Sequence, residues 1–343
     1  MKPALFWEKL PGNAVRCNLC NHFCHIQEGL IGACGVRQNK NGKLYSLNYG
    51  KIVTAHIDPV EKKPLYHFLP GTQIFSIATV GCNFRCLFCQ NADISQAPKP
   101  QQREIFGEDY TPAQVVQKAI DNNCPSIAYT YTEPTIFFEF AYDCAKLANK
   151  KGLKNVYVSN GYMSTKALKM IAPYLDAINI DLKSFSPEFY RRISGGQLAP
   201  VLENIKLFHK LGILVELTTL IIPRYNDSEK ELAQIAEFVA SIDTKIPWHL
   251  SRFHPMYKMA DLPPTPKKTL KRAYETGKKA GLDFVYVWAP PQDDEEFFEV
   301  GDTFCPKCGK LAIDRKGWIP NLVSVDERGR CKNCKRGLNL RLS

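Results

Sequence analysis

The run Val80-Gly81-Cys82-Asn83-Phe84-Arg85-Cys86-Leu87-Phe88-Cys89-Gln90-Asn91 holds three cysteines, three residues apart and then two. Structural [4Fe-4S] cubes are held by four cysteine thiolates. Three clustered thiolates can hold three irons and leave the fourth open to chelate a substrate. The competing readings are a zinc site lacking one ligand, or core cysteines. The apolar strand before the run and the aromatic before its last cysteine favour the cluster.

The chain has 343 residues, enough for one large domain with small additions. Hydrophobic residues make up 45% and charged residues 23%, an ordinary globular balance. No apolar run approaches the ~20 residues of a membrane span. The start, Met1-Lys2-Pro3-Ala4-Leu5-Phe6-Trp7-Glu8, lacks a secretory apolar region, so a cytoplasmic protein is expected. In a reducing compartment its thirteen cysteines suggest metal sites more than disulfides. They sort by position: Cys17, Cys20, Cys24 and Cys34 near the start, the central triad, and Cys305, Cys308, Cys331 and Cys334 near the end. Cys124 and Cys144 remain, and both read as core residues.

The formal charge is +11. A three-thiolate cube carries about −1 and a four-thiolate zinc site about −2. With three such sites the net charge falls to about +6, which weakens an inference to nucleic acid.

From about residue 74 to 287 the chain alternates strand-type and helix-type segments. Strands are expected at 73–80, 126–131, 155–159, 177–182, 213–221, 248–253 and 284–288. Helices are expected at 111–122, 135–150, 165–172, 187–193, 199–211 and 266–280. Thr111 with Gln114, and Ser228 with Glu231, read as capping boxes. The second opens a helix with the stripe Leu232, Ile235, Ala236 and Val239. Near-continuous apolar strands alternating with helices argue for parallel β/α units buried on both faces. Residues 98–103 and 261–268 read as loops, and 290–299 as an acidic linker. The organisation expected is a cysteine-rich lead-in (1–72), a β/α domain (73–290) and a second cysteine-rich element (291–343).

The central motif resembles that of the radical S-adenosylmethionine (SAM) superfamily, and within it the enzymes related to pyruvate formate-lyase activase. The similarity is strongest to the radical SAM proteins of the AmmeMemoRadiSam system. It rests also on Cys17-Asn18-Leu19-Cys20, on Gly32-Ala33-Cys34-Gly35-Val36-Arg37, and on Asp58 to Gly71. The resemblance implies a partial (β/α)6 barrel with the cluster on the loop after its first strand. It implies that reductive cleavage of SAM yields a 5′-deoxyadenosyl radical that abstracts hydrogen from a substrate, expected to be a peptide or protein. It also implies a low-potential donor of ferredoxin or flavodoxin type, and Memo-type and AMMECR-type pathway partners.

By the same matching, Glu133 in Tyr129-Thr130-Tyr131-Thr132-Glu133-Pro134 partners the SAM ammonium; the plainer reading is a helix-N-terminal glutamate. Ser159 and Asn160 are candidates for ribose or carboxylate, or form a simple turn. Asp181 and Lys183 alternate on one strand. They are a pair near SAM or substrate, or a structural salt bridge. His254 matches a position near the adenosyl group, or is a packed histidine. Phe88 places its backbone near adenine, and Asn91 is a further cofactor contact. After the last strand, Trp288-Ala289-Pro290 stands where relatives tend to carry Gly-Asn. Asp293–Glu296 and the closing Gly337-Leu338-Asn339-Leu340 also depart from the family pattern, so substrate specificity does not transfer.

At the C-terminus two C-x-x-C knuckles stand 22 residues apart, a zinc-ribbon or rubredoxin-like pattern. Zinc is the default there and iron the alternative. Gly309 suits the tight turn of the first knuckle. The N-terminal group takes zinc or an auxiliary Fe-S cluster, with His22 and His25 as substitute ligands. A glycyl-radical activase is the competing function within the class. From another class, an RNA-binding or RNA-modifying protein would use Lys332, Lys335, Arg336 and Arg341 of the ribbon.

Overall fold

The computed structural model describes residues 1–99, 104–288 and 300–343. The acidic linker 290–299, the departures at Ala289, Pro290 and 293–296, and the loop beyond Lys99 lie outside the described residues. The chain divides into two compact units: Met1–Asp58, Gln73–Ile178 and Arg191–Ile213, and then Pro59–Thr72, Asn179–Tyr190 and Leu214–Ser343.

In the first unit, β1 (Gln73–Ala78), β2 (Ser126–Tyr129) and β3 (Lys154–Ser159) run parallel, with β2 in the middle. The helix α1 (Pro112–Asp121) joins β1 to β2, and α2 (Phe138–Lys150) joins β2 to β3. Every residue of β2 is buried, which is why the strand reads as an unbroken apolar run. The expected capping box forms on α1: Thr111 Oγ1 accepts from Gln114 N–H at 3.2 Å, and Gln114 Oε1 accepts from Thr111 N–H at 2.8 Å. The helix expected at 135–150 begins instead as a 3-10 turn, Pro134–Phe137, capped by Glu133. On α2, Phe140, Ala141 and Cys144 are fully buried, and Cys124 is buried too, as the core reading requires. The helices α3 (Thr165–Ile171) and, after the strand β4 (Ala177–Asp181), α4 (Leu198–Lys210) complete the series. The helix expected at 187–193 is a single α-turn, Pro187–Phe189, followed by a π-turn, Tyr190–Ser194.

In the second unit, β5 (Leu214–Ile221), β6 (Trp248–Arg252) and β7 (Val285–Trp288) are parallel and consecutive. Between them lie α5 (Glu229–Ile242), which buries Leu232, Ile235, Ala236 and Val239, and α6 (Lys267–Lys279). The capping box expected on α5 is only half made. Ser228 Oγ accepts from Glu231 N–H at 3.2 Å, but the Glu231 carboxylate accepts from Ser184 Oγ and Phe185 N–H instead. That loop offered two donors and outcompeted the local backbone.

Glu216 on β5 is fully buried and explains the 58–71 stretch. Its carboxylate accepts from Tyr66 N–H (3.0 Å) and His67 N–H (2.8 Å), and lies 2.7 Å from His249 Nε2 on β6. The ribbon follows as β8 (Thr303–Phe304), β9 (Leu311–Lys316) and β10 (Ile319–Leu322), all antiparallel. Arg315 on β9 donates to Tyr66 O at 2.7 Å and lies over the Tyr66 ring. Among the described residues, no helix is long and apolar enough to cross a membrane.

Candidate functional site

The triad Cys82, Cys86 and Cys89 occupies the loop after β1. Gly81 opens it at φ +105°, a conformation L side chains rarely adopt, and a Cβ there would meet Val36 at 2.9 Å and Cys34 O at 3.0 Å. The loop backbone is tied to distant carbonyls. Arg85 N–H donates to Ser194 O at 2.8 Å and Leu87 N–H to Ile193 O at 3.1 Å. Both acceptors belong to the π-turn, a feature often found at functional sites. Gly196 gives the Phe84 ring its room, since a Cβ would lie 2.3 Å from it. The residues 193–196 were not singled out from sequence; the Gly195-Gly196 pair was their only local signal.

Two of the sulfurs already have polar neighbours. Phe84 N–H donates to Cys82 Sγ at 3.3 Å, and Cys89 Sγ lies 3.2 Å from Ser95 Oγ. Burial, then the charge of Glu133, push the Cys82 thiol well above its usual range; Cys86 and Cys89 add to this. The three thiols and the glutamate therefore share one electrostatic environment.

Glu133 is the hub beside the triad and is 1% exposed. Its Oε1 accepts from Thr135 N–H (3.0 Å), Thr135 Oγ1 (2.6 Å) and Ser159 Oγ (2.9 Å). Its Oε2 accepts from Asn160 N–H at 2.8 Å. Burial raises its pKa in spite of these bonds, so the site favours a cation next to the carboxylate. Asn160 Nδ2 donates to Asn83 Oδ1 at 2.7 Å, which ties the end of β3 to the cysteine loop. Glu133, Ser159 and Asn160 are thus brought together with Cys82, and the N-cap role of Glu133 is also real.

The other expected contacts are placed as follows. Asn91 Nδ2 donates to Tyr131 O at 2.7 Å, and the Phe88 side chain is buried in the same loop. The strand ends at Asp181, so Lys183 lies just beyond it, and the two form a salt bridge of 2.9 Å. His254 is half-buried, and burial followed by the charge of Arg252 lowers its pKa.

Cys17, Cys20 and Cys34 are buried and Cys24 half-buried. Burial, then the charge of Cys17, drive the Cys20 thiol well above its usual range, with Cys34 and Cys24 contributing. The four thiols act on one another electrostatically, but among the described residues only the C-terminal cysteines have sulfurs that all lie within 4.8 Å of one another. His22 Nε2 lies 2.7 Å from Asn83 O. His25 is exposed.

The C-terminal thiols converge on one point. Cys305, Cys308, Cys331 and Cys334 have sulfurs all within 4.8 Å of one another, with Cys305–Cys334 at 3.4 Å and Cys308–Cys331 at 3.7 Å. Zn–S bonds of about 2.3 Å arranged tetrahedrally put sulfurs about 3.8 Å apart. The knuckles are two copies of one turn. Cys305 N–H donates to Lys310 O and Gly309 N–H to Cys305 O; Cys331 N–H donates to Arg336 O and Lys335 N–H to Cys331 O. Gly309 and Lys335 take the same left-handed backbone, at φ +67° and +61°. A bond from Asn333 and one from Lys310 N–H pull the Cys308 thiol down to about 6. Of the basic residues around this site, Arg336 pairs with Asp283 at 3.2 Å.

Residues 76–239 match the profile of the radical SAM superfamily. An uncharacterized protein of Methanocaldococcus jannaschii is 45% identical over 99% of both chains. The pyruvate formate-lyase 1-activating enzyme of Escherichia coli is 21% identical over 56% of this chain and 83% of its own. Among solved structures, Streptococcus suis SuiB bound to S-adenosylmethionine aligns with a TM-score of 0.50 at 12% identity, covering 67% of this chain and 54% of that one. The chain belongs to the radical SAM superfamily, whose members are enzymes, and has its α/β fold with a parallel sheet. It has relatives among the pyruvate formate-lyase activating enzymes.

The family implies a [4Fe-4S] cluster and SAM, and the residues present fit both. Three thiols stand on one loop without a fourth. Asn83 Nδ2 is a buried donor with no partner beside Cys82, which a cluster sulfur would satisfy. The buried, destabilised Glu133 carboxylate suits an ammonium.

Proposed function

We propose that Cys82, Cys86 and Cys89 hold a [4Fe-4S] cluster with one open iron, and that Glu133 receives the ammonium of SAM beside it. The observation that carries this reading is the buried Glu133 carboxylate, raised in pKa and acting electrostatically on Cys82. A [4Fe-4S] cluster held by Cys82, Cys86 and Cys89 would supply the electron for reductive cleavage of SAM and so the radical chemistry that removes a hydrogen atom from the substrate. The chain's own residues orient and exclude water. Glu133 is preset by Thr135, Ser159 and Asn160, so binding a cation there requires little reorganisation. In this reading the Phe88 backbone lies near adenine and Asn91 is a further cofactor contact. Asp181, Lys183 and His254 remain candidates for the adenosyl or substrate side by resemblance alone.

The substrate in this reading is a peptide or protein. The relatives named as activating enzymes of pyruvate formate-lyase support it, because their target is itself an enzyme. Zinc is assigned to both four-cysteine sites, supported at the C-terminus by the sulfur separations. Residues 1–72, 73–290 and 291–343 then act as lead-in, catalytic domain and ribbon. A ferredoxin- or flavodoxin-type donor and Memo-type or AMMECR-type partners complete the proposal.

Anaerobically reconstituted protein reduced with dithionite should release 5′-deoxyadenosine from SAM, and Cys86→Ala should abolish it. Wild-type protein that carries four irons but cleaves no SAM would sink the reading. A stable glycyl-radical EPR signal on a co-incubated partner enzyme would assign the narrower activase function.

A further inference from the structure

Lys99 sits where the N-terminal cysteine loop meets the triad loop. Its ammonium donates to Ala33 O at 2.6 Å, to Cys82 O at 2.7 Å and to Phe84 O at 3.4 Å. A lysine ammonium has three donors, and here three carbonyls take them. One acceptor precedes Cys34 and the others flank Asn83, so a single cation joins the two cysteine sites. The contact is tight. A Cβ on Gly35 would lie 2.5 Å from Pro98 O, and His22 adds a second link through Asn83 O.

The ammonium lies 2.7 Å from the carbonyl oxygen of Cys82 itself and 2.6 Å from that of Ala33, next to Cys34, so its positive charge stands beside both cysteine loops. The potential of an iron–sulfur cluster depends on nearby charge, hydrogen bonding and exposure. Reduction adds a negative charge, which a fixed ammonium favours.

We propose that Lys99 is a positioning residue that clamps the N-terminal cysteine loop to the triad loop and makes the cluster easier to reduce. This rests on the cluster reading above. The full chain, reconstituted anaerobically without SAM, is poised at a fixed potential and its reduced cluster measured by EPR. Lys99→Met should lower the ratio of reduced to oxidised cluster about tenfold, equivalent to about 59 mV for a one-electron couple. Lys99→Arg, which keeps the charge, should stay within about threefold of wild type. In Lys99→Met, amide exchange across residues 33–36 should also quicken.

A Lys99→Met ratio within twofold of wild type overturns the tuning role, as does Lys99→Arg falling as far as Lys99→Met. Unchanged exchange at 33–36 overturns the clamp. Should Lys99→Met lose its iron, Lys99→Gln takes its place with the same tenfold fall expected. Loss from both neutral variants with retention in Lys99→Arg supports the proposal, and loss from all three overturns it. Failure of the cluster reading is distinguishable, because the wild-type iron–sulfur EPR signal would then be absent or would persist unchanged in Cys86→Ala.

Discussion

The triad loop and the C-terminal ribbon are both short cysteine motifs, yet they are built in opposite ways. The ribbon closes on itself. Each knuckle makes its own turn from six consecutive residues, and two copies of that turn bring four sulfurs together. The triad loop owes its shape to residues elsewhere in the chain: Ile193, Ser194 and Gly196, Asn160, and Lys99. A site made of local turns serves as a closed structural staple. A site held from several directions can leave one position open without collapsing, because the missing ligand is replaced by scaffolding.

The strongest challenge to that contrast is removal of one ribbon ligand. Structural zinc binding in small domains is worth about 10–16 kcal/mol. Cys331→Ala should therefore unfold the ribbon locally, raising amide exchange at Ala312 and Ile313 to near-unfolded rates while the triad keeps its iron. Iron loss in parallel would show that the two sites are not independent.

Gly196→Ala asks the reverse question. The new methyl group overlaps the Phe84 ring at 2.3 Å, and relieving such overpacking costs about 3 kcal/mol. We expect iron content and 5′-deoxyadenosine release to fall at least tenfold, with ribbon metal unchanged. Normal iron loading in this variant would mean the close Gly196–Phe84 approach does not seat the loop.

A smaller effect concerns Glu61, in the segment that Arg315 of the ribbon hairpin touches. Its Oε1 accepts from Gly71 N–H at 2.8 Å, while its Oε2 is buried without a partner. Burial raises its pKa from 4.5 to about 7. The folded state then holds a proton that the unfolded chain has released, so stability falls as pH rises from about 4.5 to about 7. Glu61→Gln should gain up to about 3 kcal/mol over wild type at pH 8 and nothing at pH 4, by urea unfolding. An equal gain at both pH values would refute the assignment.

The smallest effect is at Lys335, which holds the left-handed backbone that Gly309 occupies in the other knuckle. Lys335→Gly should relieve about 1 kcal/mol of strain and tighten metal binding about fivefold in a chelator competition. Weaker binding would mean the two turns are not equivalent.

Much of the site is legible in residue types. The Cys82-Cys86-Cys89 spacing, the β/α alternation and the twin knuckles each depend on short-range patterns, and the parallel strands and the ribbon geometry agree with them. Glu133 follows from the resemblance of Tyr129-Thr130-Tyr131-Thr132-Glu133-Pro134 to the family's strand-2 motif, not from a spacing. The half-made cap at Glu231 was not legible, since the distant Ser184 and Phe185 settled it. The role of residues 58–71 was equally hidden: the motif was visible, but its anchor, Glu216, lies 150 residues away.

Sequence alone set out the three-cysteine motif and the two four-cysteine groups, because covalent spacing limits what neighbouring thiols can ligate, and its resemblance pointed to the superfamily. The tertiary structure decided which groups surround the triad. It brought the N-terminal cysteines against the triad loop through Lys99, buried Glu133 until its charge needed a partner, and left Asn83 with an unused donor. Those are consequences of burial and long-range packing, which fix electrostatic surroundings that no local spacing encodes.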